Sequence, residues 1–159
     1  MKVVDFLSPD AIIPALAGAT KGAVLAELSD FLARLLAVES EPIAIDAKVL
    51  CRVLEERELL ASTAIGDGIA IPHGKLDGID RLAGALGRSV SGLAFDSIDG
   101  KPTHLVFMLV APSNSAGVHL KALARLSRLF RDASFRQRLL DAPDGATMYR
   151  TIAEEDAKY

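Results

Sequence analysis

The sequence predicts a single α/β domain in which a mixed, largely buried β-sheet is flanked by helices on both faces. Apolar segments of strand length alternate with segments whose apolar residues recur at helical spacing. The run Leu-Val-Phe-Met-Leu-Val within residues 104–111 is too continuous to be half exposed, which indicates a central strand. A chain of 159 residues, half of them apolar, can bury one core without disulfides or metal, so we expect one domain over residues 1–159.

The first half of the chain supplies one strand and two helices. Residues 11–17 predict a strand that Pro14 confines to a sheet edge or an irregular start. Thr20 can cap the next helix, whose predicted apolar face contains Val24, Leu25, Leu28, Phe31, Leu32 and Leu35. Asp46 can cap a second helix with the apolar set Val49, Leu50, Val53 and Leu54. This second helix delivers Arg57 just ahead of a glycine-rich stretch.

The second half contains a strand over residues 82–90, the central strand over residues 104–111, and three helices. Ser113-Asn114-Ser115 offers capping side chains for a helix over about residues 117–131. The predicted apolar set of that helix is Leu120, Leu123, Leu126, Leu129 and Phe130. We expect Ser134 and Asp144 to open the two shorter helices that follow.

The stretch over residues 62–75 presents a histidine at the end of an apolar run. Gly66 and Gly68 can adopt positive φ, and Ile-Ala-Ile at residues 69–71 predicts a short buried strand. Pro72 should end this strand, so that His73 emerges from a stiffened turn. Gly74 carries no side chain and is expected to leave room beside the imidazole.

The three histidines differ in what their positions indicate. His104 opens the central strand and is expected to be structural, bonding a carbonyl. His119 lies near the start of the following helix, where α/β sheets bind ligands and helix N-termini favour anions, so its position leaves a functional and a surface role both open. No pair has a short metal-ligand spacing on a helix, which disfavours zinc, and we expect neither metal nor cofactor.

Phosphoryl transfer is a chemistry that such a histidine can perform. A neutral imidazole nitrogen is a competent nucleophile at phosphorus, provided that a hydrogen bond to the other nitrogen fixes the tautomer. Backbone groups of the nearby glycines could supply that bond to His73. His119 and Arg57 are candidates for stabilising the charge of the phosphoryl group.

These residues carry a resemblance to a known family. The motifs that carry it are Arg57-Glu58, Ser62-Thr63, Ile65-Gly66, the segment Gly-Ile-Ala-Ile-Pro-His-Gly at residues 68–74, and the later His119-Leu120. Together they resemble the motifs of enzyme IIA domains of the fructose–mannitol class (PTS EIIA type 2) of the bacterial phosphotransferase system. The version Ile-Ala-Ile-Pro-His-Gly-Lys is most similar to the nitrogen-regulatory enzymes IIA. The resemblance covers about residues 5–155 and implies a single α/β domain with a mixed sheet.

The resemblance also implies an activity and a set of site residues. His73 would be the residue phosphorylated on Nε2 by a histidine-containing phosphocarrier protein, with His119 stabilising the phosphoryl group and Arg57 nearby. Ser62, Thr63 and Gly74 are expected to line the pocket. Ala64 departs from a common glycine and Asp67 from a common asparagine, and we expect the Asp67 carboxylate to point to solvent.

The predicted function is that of a phosphotransferase whose phosphorylation state regulates partner proteins, such as a potassium transporter or a sensor kinase. A sugar-specific enzyme IIA that passes phosphate to a fructose or mannitol IIB domain is the first alternative, and an interaction module with a vestigial site is the second. A net charge of −3 argues against nucleic acid as a partner. Cys51 is the single cysteine, and we expect it to be an inert core position. We predict a cytoplasmic protein, because the chain has one cysteine, no signal peptide pattern and no apolar run of membrane length.

One segment concentrates positive charge. Residues 121–138 carry six basic side chains and one acidic side chain. Lys121, Arg125 and Arg128 would share one helix face, which is typical of a solvated surface but could also meet an acidic partner.

Overall fold

The computed structural model describes residues 1–159, apart from the side chain of Ala116. Within these residues a short 3-10 turn at Val3–Asp5 precedes six strands and five helices. The strands are β1 (Ile12–Ile13), β2 (Ala64–Gly66), β3 (Ile69–Ala70), β4 (His73–Leu76), β5 (Ala83–Leu93) and β6 (Thr103–Pro112). The helices are α1 (Lys21–Ala37), α2 (Ala47–Leu60), α3 (Ala116–Phe130), α4 (Ala133–Asp141) and α5 (Gly145–Asp156).

The sheet is mixed, and β6 is its central strand, as the sequence predicts. The strand order is β1-β5-β6-β3-β2, and β4 pairs with β6 beyond the end of β3. β5 runs antiparallel to β6, whereas β3 and β4 run parallel to it. β1 lies at the sheet edge but is shorter than expected, because only Ile12 and Ile13 pair with β5 before Pro14 removes a donor.

Helices cover both faces of the sheet, and this prediction is confirmed. Alternate residues of β6 point to opposite sides. Leu105, Phe107 and Leu109 belong to a core shared with α3, α4 and α5. Val106, Met108 and Val110 belong to a second core shared with α1 and α2. The continuous apolar run of β6 is therefore explained by burial on both faces.

Three of the predicted helix caps are confirmed and two are wrong. The side chains of Thr20, Asp46 and Asp144 accept backbone N–H groups at the starts of α1, α2 and α5. At α3 the hydroxyl of Ser115 instead donates to the Pro112 carbonyl (2.6 Å), so it caps no helical N–H group. α4 is capped by Asp132 rather than Ser134, because the helix begins two residues earlier and an ionised carboxylate is a strong acceptor at the positive helix end.

Two apolar residues that periodicity assigned to the buried faces of helices are exposed. Val49 is 42% exposed and Leu120 is 67% exposed. Each lies one residue, about 100° of helical rotation, from a buried neighbour that defines the true packing stripe. In α2 that neighbour is Leu50, and in α3 it is His119.

The basic segment over residues 121–138 is largely engaged within the fold. Arg125 pairs with the buried Asp156 of α5 (2.7 Å), and Arg138 pairs with the buried Glu155 (3.1 Å). The Arg128 guanidinium lies 4.4 Å from the ring centre of Tyr159. Arg136 donates to two backbone carbonyls at the end of α3. These contacts fasten the C-terminal helix to α3 and α4, so they do not support a free basic docking surface.

Cys51 is half-buried and donates its thiol to Glu55 Oε1 (3.0 Å). Burial, and then the adjacent carboxylate, raise the pKa of this thiol to about 11, so it stays protonated near neutral pH. Its position on α2 is thus inert, as expected, although it is not fully within the core.

Candidate functional site

His73 lies at the start of a strand rather than in a turn, which corrects the prediction. Pro72 interrupts the sheet because it has no N–H group, but its carbonyl still accepts the Leu109 N–H (2.9 Å). β4 then resumes the parallel pairing with β6, and His73 lies opposite Leu109 in the register. Backbone pairing with β6 therefore fixes the chain on both sides of Pro72, and this fixes the position of His73.

A hydrogen bond fixes the ring of His73. Its Nδ1 lies 2.6 Å from the Ile71 carbonyl oxygen. A carbonyl only accepts hydrogen bonds, so Nδ1 carries the ring proton and Nε2 keeps its lone pair. The sequence predicted that such a bond is needed but assigned it to the glycines. The structure supplies it from the strand residue two positions earlier.

His119 stands beside this ring. The two imidazole centres are 5.4 Å apart, with the ring planes at 74°. His119 is only 7% exposed, and its Nε2 is buried without a hydrogen-bond partner among the described residues. An unpaired polar atom in such a position is unfavourable unless a ligand or water satisfies it. The pair forms a site with one free nucleophilic nitrogen and one unsatisfied polar nitrogen.

The pKa of each histidine lies below its ordinary value, which favours the neutral ring near neutral pH. Burial lowers the pKa of His73, and the Arg57 charge lowers it further, whereas the Ile71 carbonyl and the Glu58 carboxylate raise it. Burial lowers the pKa of His119 from 6.5 to about 4, and the positive charges of protonated His73 and Lys75 act in the same direction. A neutral imidazole is the form that can attack phosphorus.

Arg57 lies at the end of α2, close enough for its charge to act on His73. Its Nη1 donates to the Ala61 carbonyl (2.8 Å), which satisfies an acceptor just beyond the helix C-terminus. The guanidinium has five N–H donors, so this bond leaves others for an anion. The side chain is half-buried.

Ser62 and Thr63 lie near the site, but their hydroxyl groups donate hydrogen bonds to other groups of the protein. The Ser62 hydroxyl donates to the Phe95 carbonyl (2.6 Å). The Thr63 hydroxyl donates to the Glu58 carboxylate, and the Thr63 carbonyl accepts the Ile71 N–H (3.0 Å). These residues therefore brace the strand that carries His73, and a direct contact with phosphate stays a prediction.

Gly74 is required for packing, and the expectation that it leaves open space is wrong. A Cβ at this position would lie 2.7 Å from Cγ1 of Val53 on α2. Gly74 and His73 point to opposite faces of β4, so the missing side chain makes room for helix α2 and not for a group approaching the imidazole.

Gly74→Ala is expected to destabilise the protein by about 1–3 kcal/mol through overpacking against Val53. Chemical denaturation monitored by circular dichroism measures this change. Val53→Ala in the same background should restore part of the loss, because it removes the clashing methyl group. Full stability of the single variant would show that α2 can move away without cost.

His104 and Asp67 lie at the other end of the sheet. His104 Nδ1 lies 2.9 Å from the Ser89 carbonyl oxygen, which confirms its structural role. Asp67 (φ 56°) and Gly68 (φ 80°) form the two-residue turn between β2 and β3, and Asp67 is exposed as expected. Five residues of β6 separate His104 from the partner of His73, a distance of roughly 16 Å. Asp67 therefore does not act on the histidine pair.

Two residues near the site received no role from the sequence. Lys75 lies two positions after His73 in β4, on the same face, and its charge acts on His119. Glu58 follows Arg57 and is buried beneath Thr63. The alternation of a strand could have indicated Lys75, whereas the inward orientation of Glu58 follows only from the packing of α2.

The low pKa of His119 predicts a pH-dependent stability. At His119 the unfolded chain binds a proton more readily than the folded one. The contribution of this residue to the free energy of unfolding is therefore greatest above pH 6.5 and is lost as the pH drops toward about 4. Between about pH 7 and about pH 5 this residue alone should remove about 2 kcal/mol. Urea denaturation of wild type and the non-titrating His119→Gln should show the steeper decline in wild type, and parallel curves would contradict it.

The mixed sheet and the paired histidines define an enzyme IIA domain. The family model described as "Phosphoenolpyruvate-dependent sugar phosphotransferase system, EIIA 2" matches residues 5–155, and the chain belongs to this family. A nitrogen regulatory protein of Bradyrhizobium diazoefficiens is 38% identical over 153 residues, which is 96% of this chain and 95% of that protein. The prediction of a nitrogen-regulatory enzyme IIA is confirmed.

Two further relatives bear on the fold and on the alternative function. The crystal structure of the nitrogen regulatory protein IIA-Ntr from Neisseria meningitidis has a TM-score of 0.84 and 29% identity, covering 94% of this chain and 98% of that one. The fructose-specific EIIA component of Haloferax volcanii is 36% identical over 136 residues, which is 86% of this chain and 84% of that protein. The sugar-specific alternative is the less favoured one.

No helix among the described residues is long and apolar enough to cross a membrane. No group of three or more histidine, cysteine or acidic residues within that same part of the chain could hold a metal ion.

Proposed function

We propose that this protein is a phosphoryl carrier that accepts a phosphoryl group on Nε2 of His73 and regulates partner proteins according to its phosphorylation state. The observation that carries the proposal is the hydrogen bond from Nδ1 of His73 to the Ile71 carbonyl (2.6 Å), which leaves Nε2 as the only nucleophilic ring nitrogen. Membership of the enzyme IIA family supports a carrier role in phosphotransfer.

The transfer step follows from this geometry. The donor is a phosphohistidine on an HPr-like phosphocarrier protein. The lone pair on His73 Nε2 forms a bond to phosphorus while the bond between phosphorus and the donor nitrogen breaks, and that electron pair leaves with the donor imidazole. The proton stays on Nδ1 of His73 throughout, and Nδ1 donates it in a hydrogen bond to the Ile71 carbonyl.

In this proposal three side chains would stabilise the phosphoryl group on His73. His119, in the tautomer protonated at Nε2, would donate its unpaired N–H to a phosphoryl oxygen. Arg57 and Lys75 supply positive charge that offsets the charge of the phosphoryl oxygens. The unphosphorylated site is therefore prepared for an anion by donors and charge that the fold has already placed.

Exposed apolar side chains adjoin these residues in the chain and would form the surface on which the donor docks. Leu59 (86% exposed) and Leu60 (82% exposed) follow Arg57 at the end of α2. Val118 and Leu120 flank His119 at the start of α3, and both are exposed. A contact surface of this small size suits a transient encounter that must release its partner after transfer, because weak interfaces bury little area.

The regulatory role rests on the relatives that are nitrogen regulatory proteins. Phosphorylation adds negative charge to the surface around His73, which can admit one partner and exclude another. Regulated partners such as a potassium transporter or a sensor kinase, and a cytoplasmic location consistent with the single cysteine, belong to the same proposal. Under the alternative, the phosphoryl group would pass on to a fructose or mannitol IIB domain.

The test is incubation of the purified protein with enzyme I, a phosphocarrier and phosphoenolpyruvate, followed by intact mass measurement. We expect the mass of one added phosphoryl group, lost after mild acid treatment because the nitrogen–phosphorus bond is acid-labile. Adding purified fructose and mannitol IIB domains then separates the two roles, since the regulatory role predicts that the label stays. An unchanged mass with each phosphocarrier tested would contradict the proposal.

A further inference from the structure

A buried carboxylate at the end of α2 is bonded to the segment that precedes β2. The side chain of Glu58 is 4% exposed and pairs with Lys21 Nζ of α1 (2.9 Å). The same carboxylate accepts the Thr63 N–H (3.2 Å) and the Thr63 hydroxyl. Glu58 thus joins α1, α2 and the segment that leads into β2.

A continuous series of hydrogen bonds runs from this carboxylate to the nucleophile. Glu58 holds Thr63 through both its backbone N–H and its hydroxyl. The Thr63 carbonyl then accepts the Ile71 N–H (3.0 Å). The carbonyl of Ile71 in turn accepts the Nδ1 proton of His73 (2.6 Å). Each bond holds a residue whose carbonyl makes the next one.

We propose that Glu58 is a positioning residue for His73: by holding Thr63 it fixes the Ile71 carbonyl, which selects the tautomer that leaves Nε2 free for phosphorus. Glu58 touches neither the imidazole nor the phosphoryl group. Its charge raises the pKa of His73 from a distance, whereas its effect on the tautomer passes through the hydrogen bonds of Thr63 and Ile71. This inference rests on the proposed function of His73, but the tautomer that it concerns exists without any phosphoryl group.

The burial of this charge argues for more than a role in stability. A buried ion pair is seldom more stabilising than apolar groups of the same size, because both charges lose their hydration. Lys21 also pairs with Asp96 (3.1 Å) and lies 4.9 Å from the ring centre of Phe95, so contacts other than Glu58 hold its side chain in place. What Glu58 adds is a double acceptor for Thr63, the residue whose carbonyl accepts the Ile71 N–H.

The first experiment compares wild type with Glu58→Gln, which keeps the size of the side chain and one acceptor oxygen but removes the charge and the second acceptor, so that Thr63 can no longer donate to two oxygens. In the unphosphorylated protein, ¹⁵N chemical shifts of the His73 ring report the tautomer. We expect wild type to show only the Nδ1-protonated form and Glu58→Gln to show a mixture of both forms. The single-turnover rate of phosphoryl uptake from a phosphorylated HPr-like carrier should fall about tenfold or more.

Glu155→Gln is the matched control. Glu155 is equally buried and pairs with Arg138 (3.1 Å) and Lys158 (3.2 Å), but it lies on α5 and contacts no residue of this series. We expect a comparable loss of stability, with the His73 tautomer and the rate of uptake unchanged. A general loosening of the fold would affect both variants alike and would contradict the inference.

Thr63→Val and Thr63→Ser test the middle of the series if Glu58→Gln fails to fold. Valine removes the hydroxyl bond to Glu58 and should admit the second tautomer, whereas serine keeps the hydroxyl and should restore the wild-type spectrum and rate. An unchanged tautomer or an unchanged rate in the variants that lack the bond overturns the positioning role. If wild type itself takes up no phosphoryl group, the proposed function fails instead, whatever the tautomer spectra show.

Discussion

His73→Ala should take up no phosphoryl group, while wild type under the same conditions gains one. The expected loss is complete because Nε2 of His73 is the nucleophile and alanine offers no nitrogen in its place. The fold should survive, since the half-buried imidazole contributes one hydrogen bond to Ile71 and the pairing of β4 with β6 is made by backbone groups. Intact mass after incubation with the phosphorylated carrier measures the loss.

His104→Gln is the control for this variant. It also removes a histidine that bonds a backbone carbonyl, but at the opposite end of the sheet. Its phosphoryl uptake should match wild type. An acid-labile phosphoryl group on His73→Ala that is absent from a variant of another histidine would move the acceptor site elsewhere in the chain.

His119→Ala should slow phosphoryl uptake about a hundredfold or more while leaving His73 as the labelled residue. The reason is the loss of a preorganised donor: Nε2 of His119 is buried beside His73 without a partner, and removing one such donor from a transition state has an effect of about this size. Rapid-quench single-turnover kinetics with the phosphorylated carrier measures the rate, and peptide mapping identifies the labelled histidine.

His119→Gln sharpens this experiment, because an amide keeps one N–H donor and cannot titrate. Its rate should lie between those of wild type and His119→Ala. If both variants transferred as fast as wild type, His119 would have no part in stabilising the phosphoryl group. If only the alanine variant were slow and the glutamine variant equalled wild type, hydrogen-bond donation alone would account for the role of His119.

Much of the fold could be predicted from local pattern. The apolar run of β6 identified the central strand, and the caps at Thr20, Asp46 and Asp144 marked three helix starts, because these signals depend on a few neighbouring residues. The exposed positions Val49 and Leu120 were misassigned for the opposite reason. Periodicity defines an apolar stripe, but the neighbouring elements decide which side of that stripe is covered.

For the site residues too, local pattern indicated the candidates, and packing decided their contacts. Proline and glycine around His73 identified it as a candidate, and chemistry required a hydrogen bond at one ring nitrogen. The source of that bond, Ile71, depends on how the strand resumes after Pro72. Likewise, a glycine at position 74 was evident, but its contact with Val53 required the packing of α2 against β4.

The sequence by itself determined the fold class, the order of most elements, and His73, His119 and Arg57 as candidate residues of one family, since composition, spacing and motif are properties of the chain. The resemblance implied Nε2 as the phosphorylated nitrogen, but only the tertiary structure decided that the Ile71 carbonyl holds Nδ1. It also decided that the His119 ring, with an unpaired nitrogen, lies 5.4 Å from the His73 ring, centre to centre, and that Glu58 is buried and bonded to Thr63. The physical reason is that tautomer, burial and hydrogen-bond partner are set by groups distant in the chain, which come together only when the helices pack on the sheet.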